Sequence, residues 1–235
     1  MREILEEAAI LYRQELESLQ PIAAPVAVAG PILVIIATSS LIAALATTLV
    51  LLFLYGIAYA ACVRAASLML ENSSPGAGDA YLDAFRAAYT LLRNGAPAML
   101  LIAAIAGSAL VISDQGFTSV SMLIGALGAA TVVVWAGRHA YETPLVLLYG
   151  MSATDAEGAS ARLTGGETLG ASGFLAIVSL PVVIAALLGC GIGAALAPPV
   201  GAAVFLIVVA LWLPFAALSV TLACGRLVES AGVAT

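Results

Sequence analysis

The sequence predicts an all-α, polytopic membrane protein with six transmembrane helices in three hairpins, each hairpin preceded by a cytoplasmic amphipathic helix. Three observations predict it. Of 235 residues, 63% are hydrophobic and 9% charged, and mean hydropathy is +1.11, whereas soluble domains carry about 25% charged residues. Uncharged runs such as Leu41 to Cys62 and Val200 to Cys224 exceed the roughly 20 apolar residues that cross a hydrocarbon core. Lipid offers the backbone no hydrogen-bond partner and the alternation of a barrel strand is absent, so these runs are helices. Finally, all 8 basic residues are arginines, and every one falls in the connections on one side of this arrangement.

From the N-terminus, Ile4, Leu5, Ala8, Leu11, Tyr12 and Leu19 share a 3.6-residue stripe, with Glu3, Glu6, Glu7, Arg13 and Glu17 elsewhere, which predicts a surface helix. Its glutamates do not fit the basic start of a cleavable signal peptide, so the first span is expected to be retained. The first hairpin pairs Pro21–Ala37 with Leu41–Leu70 through Thr38-Ser39-Ser40. A second surface helix carries Tyr81, Leu82, Phe85, Tyr89 and Leu92 as its stripe, leaving Asp79, Asp83 and Arg93 in water. The second hairpin pairs Pro97–Ser113 with Val120–Leu148 through Asp114-Gln115-Gly116. Thr154 to Glu157 has the spacing of a capping box, and Ala159 and Leu163 continue one face of a third surface helix. The last hairpin pairs Ala171–Leu188 with Val200–Val228 across a link containing Gly191, Gly193, Pro198 and Pro199. Gly189 and Gly193 also offer small-residue helix packing. In each pair the first helix is a bare crossing, about 26 Å for about 17 residues, while the second has a turn or more to spare.

The arginines Arg2, Arg13, Arg64, Arg86, Arg93, Arg138, Arg162 and Arg226 place both termini in the cytoplasm and the protein in the cell (inner) membrane, because orientation follows Lys and Arg counts and not the net charge of −6. Three of them mark a repeat. Arg64 and Arg138 lie 74 residues apart, as do Gln20 and Asn94, and Ala61-Cys62-Val63-Arg64 matches Ala223-Cys224-Gly225-Arg226, with Trp135-Ala136-Gly137-Arg138 a looser middle copy. The chain reads as one integral membrane domain, 1–235, built from units of roughly 1–74, 75–150 and 151–235 around a pseudo-threefold axis.

Arg64, Arg138 and Arg226 are the candidate contacts for lipid phosphate or another anion, since a guanidinium fork suits bidentate phosphate binding. The alternative is topological anchoring, with aliphatic stems on apolar surface and heads in water. His139 and Glu142 share a face of the projecting fourth helix, but a single histidine makes no metal site; an Arg138–Glu142 pair in a polar cluster is expected there. Gly189, Gly191 and Gly193 follow a helix with no Lys-Ser/Thr pair after them, so they form a turn and not a phosphate loop. Cys62, Cys190 and Cys224 form no CxxC pair and read as small apolar residues.

No ionisable group lies at mid-depth of a span, where only hydroxyls such as Thr47, Thr48, Ser108, Thr131 and Ser219 occur, which weighs against ion-coupled transport. No nucleophile with a base and no metal pair is present, so no catalysis, cofactor or metal is expected. The function these readings favour is a non-enzymatic scaffold or accessory subunit contacting anionic membrane lipids or a membrane-protein partner, without nucleic acid. The alternative is a transporter or permease component for a lipidic or small amphiphilic solute.

The stretch Thr143-Pro144-Leu145-Val146-Leu147-Leu148, then Ser152 to Glu157, then Ala159-Ser160-Ala161-Arg162-Leu163-Thr164-Gly165-Gly166 resembles the signature of the glycerophosphoryl diester phosphodiesterase membrane-domain family and related six-helix proteins. The resemblance implies a polytopic membrane module, fused in some relatives to a separate catalytic barrel whose metal ligands have no counterpart in this sequence. It implies structural roles for Pro144, Ser160, Arg162 and Gly166.

Overall fold

The computed structural model describes residues 2–37, 41–71, 73, 76–93, 95, 137–165 and 168–231. Its helices are α1 (Arg2–Gln14), α2 (Leu16–Ala37), α3 (Leu41–Leu70), α4 (Ala77–Arg86), α5 (Glu142–Tyr149), α6 (Ala153–Thr164), α7 (Thr168–Ala195) and α8 (Pro198–Ala231). No strand occurs among the described residues. Four helices, α2, α3, α7 and α8, are long and apolar enough to cross a membrane. The expected second hairpin lies outside the described residues apart from 137–148.

The last helix, α8, is the hub, packing on α7, α2, α3 and α1, while α4 lies against α3. The contact surfaces are rich in small residues: Ala60, Ala61, Cys62, Val63 and Ala65 of α3 meet Leu19 and Ile22 of α2 and Ala80 and Ala84 of α4, all fully buried. Small side chains let backbones approach, which is how helices gain contact where lipid is as apolar as the helix itself. Ile177, Leu180, Val183, Ile184, Leu187 and Leu188 of α7 are instead exposed. A continuous apolar face of this kind suits lipid and not water.

Several expected boundaries move. The helix α2 begins at Leu16, five residues before Pro21, so only Glu15 separates it from α1, and Leu19 is core to α2 and not part of the α1 stripe. The helix α7 runs on to Ala195, which puts Gly189, Gly191 and Gly193 inside it and shortens the α7–α8 link to Leu196-Ala197. Close crossing explains this: a Cβ on Gly201 of α8 would lie 2.6 Å from Gly193 N and 2.8 Å from its Cα, and one on Gly189 would lie 2.8 Å from Gly201 O. The small-residue packing expected of Gly189 and Gly193 is thus present, while the turn is not. At 28 and 34 residues, α7 and α8 also lack the expected contrast of short and long helices.

Proline decides where the other helices break or hold. The expected continuous helix through Leu148 is interrupted by a turn at 139–141, and α5 starts at Glu142. Pro144 then falls in the first turn of α5, where a missing N–H leaves no helical bond unmade. Pro25, Pro181 and Pro214 instead sit inside α2, α7 and α8. Each lacks the N–H that would bond the carbonyl four residues earlier, and its ring crowds that turn, so side-chain donors from neighbouring helices reinforce the disturbed turn; Pro21 and Pro31 also lie inside α2. At Pro25, Pro181 and Pro214 the carbonyl three residues before the proline receives one: Tyr81 Oη donates to Ile22 O at 2.5 Å, Trp212 Nε1 to Val178 O at 2.7 Å, and Tyr12 Oη to Leu211 O at 2.9 Å. Burial pushes the Tyr81 hydroxyl up to about 12, so it stays a donor.

The surface helices differ from expectation in their faces. On α1, Ala8 is fully buried on the expected stripe. The expected second stripe divides: α4 ends at Arg86 and a turn at 87 separates it from a helical stretch over 88–93; on α4, Tyr81 and the alanines Ala80 and Ala84 turn inward while Leu82 and Phe85 are exposed, as are Tyr89 and Leu92 beyond the turn. The cap of α6 is Ser152, two residues before Thr154; its Oγ accepts from Asp155 N at 3.3 Å and donates to Asp155 Oδ2 at 2.6 Å. Gly150, at φ 63°, ends α5 in the left-handed region that glycine tolerates.

Candidate functional site

Arg64, Arg138 and Arg226 sit at three different junctions between a helix end and one of the shorter helices α4, α6 and α1. Arg64, near the end of α3, directs Nε to Asp83 Oδ2 of α4 at 3.0 Å and Nη1 to Ser67 Oγ at 3.4 Å. Asp83 also receives Arg86 Nη1 at 3.3 Å, so the carboxylate expected in water is shared by two guanidinium groups. Arg226, near the end of α8, pairs through Nη2 with Glu7 of α1, with Glu3 at 3.9 Å from Nη1. Arg138 is exposed, and its carbonyl accepts from Ser160 Oγ of α6 at 2.8 Å. Ser160 accepts in turn from Tyr141 N at 3.3 Å, so one buried hydroxyl fastens both ends of the turn before α5.

Each junction has its own surface helix, and their contact residues are regularly spaced: Glu7 and Asp83 are 76 residues apart and Ser160 follows 77 later. The sequence resemblance implies a structural role for Ser160, but pairs none of these residues with an arginine; their spacing, close to the 74 residues between Arg64 and Arg138, is the signal that could have done so.

Arg226 borders a cavity. About 390 Å³ of space lies between α1, α6, α7, α8 and the turn before α5. Ile4, Leu163, Phe174, Ala223 and Leu227 supply apolar wall, while Tyr141, Thr164, Arg226 and Ser230 supply polar atoms. Phe174 is fixed as the floor, 2% exposed, by the packing of α7 on α8. Thr164 Oγ1 donates to Ser160 O at 3.0 Å. Tyr141 is 4% exposed, and its hydroxyl, like that of Tyr59 deeper in the bundle, makes no hydrogen bond among the described residues, whereas Tyr12, Tyr55 and Tyr81 each donate one; of the two, Tyr141 lines the cavity. A buried hydroxyl without a partner is costly, by about 1–3 kcal/mol, unless something enters to satisfy it.

His139 Nδ1 and Glu142 Oε1 are 2.5 Å apart, with the Glu142 side chain 8% exposed, so Glu142 takes His139 where Arg138 was expected. Among the described residues no group of three or more His, Cys, Asp or Glu side chains is placed to hold a metal ion. Cys62 and Cys224 are free and buried. Of the residues in the family-like stretch, Pro144 and Ser160 are fully buried, Arg162 is exposed, and Gly166 lies outside the described residues. No protein-family model, curated protein or solved structure matches this chain.

Proposed function

We propose that the chain is a non-enzymatic multi-pass protein of the cell (inner) membrane, with six spans and cytoplasmic termini, that serves as a scaffold or accessory subunit and contacts anionic lipid at its arginine end. The observation that carries this reading is the cavity of about 390 Å³ beside Arg226, apolar on one side and hydrogen-bonding on the other. Such a lining matches a molecule with a hydrocarbon part and a polar head. The position supports it too: Arg226 is near the end of an apolar helix of 34 residues, the level at which guanidinium groups meet headgroups.

The threefold repeat belongs to the same proposal. In its terms each hairpin end leans on the surface helix of the following unit, Arg64 on Asp83 and Arg138 on Ser160, and the last unit returns to the first through Arg226 and Glu7. Arg64 and Arg138 are then fastenings of this ring, and Arg226 is the lipid contact. The resemblance to the membrane-domain family fits a module of this kind, without the hydrolytic chemistry of its barrel-fused relatives.

The test is lipid carried through purification. Native membranes expressing the wild-type chain and Arg226→Gln are extracted gently, and bound lipid is measured by mass spectrometry. We expect anionic phospholipid to accompany the wild type and to fall several-fold in Arg226→Gln, with no fall in Arg64→Gln. Equal lipid in all three overturns the reading. The cavity also favours the second reading, a permease component for an amphiphilic solute, which requires flux in proteoliposomes that Phe174→Trp blocks.

A further inference from the structure

The mixed lining of the cavity is specific enough to name a ligand class. We infer that it is a binding site for a single-chain acidic amphiphile, one hydrocarbon chain bearing a carboxylate or phosphate head, an inference that rests on the proposed lipid contact and deepens it. Three observations carry it.

Size comes first. A volume of about 390 Å³ is at the lower end of the roughly 300–1,000 Å³ typical of small-molecule pockets. It admits one chain between Ile4, Leu163, Phe174 and Leu227, and not a pair. The second observation is Tyr141, a residue 4% exposed in the wall of the same cavity, whose hydroxyl makes no hydrogen bond among the described residues. It can donate, and no described acceptor takes the proton. An oxyacid head offers at least two acceptor oxygens, enough for Tyr141 and Arg226 together.

The third is that the guanidinium of Arg226 already holds a carboxylate. Glu7 occupies it from α1, the helix that also contributes Ile4 to the cavity wall. Glu7 thus stands where the head of the ligand would bind, and the two compete for one cation. Entry of an acidic head displaces Glu7 and loosens the clasp that holds α1 on α8. Ligand binding and the seating of α1 are coupled through a single arginine. By reciprocity, removing the Glu7 charge favours the ligand.

The experiment uses the full chain in detergent micelles of uncharged headgroup. Affinities of oleate, oleoyl lysophosphatidate, oleyl alcohol and dioleoyl phosphatidylglycerol are measured by displacement of a fluorescent fatty acid. We expect an acid of one chain to bind at least tenfold more tightly than oleyl alcohol. Whichever of oleate and lysophosphatidate binds better identifies the head as carboxylate or phosphate. Tyr141→Phe, which keeps the ring and its packing, weakens the acid about threefold to tenfold, the loss of one hydrogen bond. Glu7→Gln tightens it several-fold. Equal affinity for oleyl alcohol, unchanged affinity in Glu7→Gln, or tighter binding of the two-chain phosphatidylglycerol each overturns the inference. If native phospholipid still depends on Arg226 while no single-chain acid binds, the inference fails and the proposed lipid contact stands; if neither depends on Arg226, both fail.

Discussion

Arg64 and Arg226 close nearly identical tetrapeptides, Ala61-Cys62-Val63-Arg64 and Ala223-Cys224-Gly225-Arg226, yet their surroundings differ. At the first, the Arg64 side chain is 27% exposed and is filled in by Asp83 and Ser67, and Val63 beside it is fully buried. At the second, the Arg226 side chain is 44% exposed, a Cβ on Gly225 would meet nothing within 4 Å, and a cavity opens alongside. Two similar tetrapeptides can therefore place the same cation in a closed ion pair in one case and beside a cavity in the other. The neighbours decide between them.

The comparison can be broken most severely at the α7–α8 crossing. Gly201→Leu pushes a side chain into the Gly189 and Gly193 backbone, and overpacking there should cost at least about 3 kcal/mol. The Arg226 half then loses its wall, seen as loss of a monodisperse peak by size-exclusion chromatography. Gly56→Ala on the Arg64 side, with open space around it, should leave the peak intact. Phe174→Ala, which removes the cavity floor, should lower stability by about 3–5 kcal/mol in thermal unfolding. Ser160→Ala leaves the Tyr141 N–H and Arg138 carbonyl without their bond and should cost about 1–3 kcal/mol.

The finest test is at the arginines themselves. Arg64→Gln and Arg226→Gln should each change stability by no more than about 1 kcal/mol, since both pairs are reached by solvent. Only Arg226→Gln should lose bound lipid; equal losses would erase the distinction between clasp and site. Gly225→Ala should raise stability by up to about 1 kcal/mol, as alanine for glycine in a helix with room for the methyl group, without altering lipid binding.

How far the sequence could be read depended on which interaction governed each element. The limits of α3, Leu41–Leu70, match expectation because a long apolar run without proline or a competing cap leaves one solution. The break before α5 was missed because it depends on the Ser160 hydroxyl from another helix, and period alone continues through Pro144. The end of α7 was missed because Gly189 and Gly193 read as a turn until Gly201 is seen against them. Arg226 was named from its place in the motif. Tyr141 was not, since a tyrosine lacking a partner looks in sequence like any other.

The carbonyls before Pro25, Pro181 and Pro214 carry a consequence for how the protein is made. Their donors are 59, 34 and 199 residues away in the chain, so each proline-disturbed turn is reinforced by a distant segment. In a low-dielectric surrounding, an added donor at a disturbed turn is worth more than the same bond in water. The turn before Pro25 therefore receives its Tyr81 bond only after α4 has been synthesised, and Tyr12 waits for almost the whole chain before Leu211 arrives. Insertion and folding are interlocked, and truncated chains lacking α8 should be targets for membrane quality control even though their remaining spans are hydrophobic enough to stay.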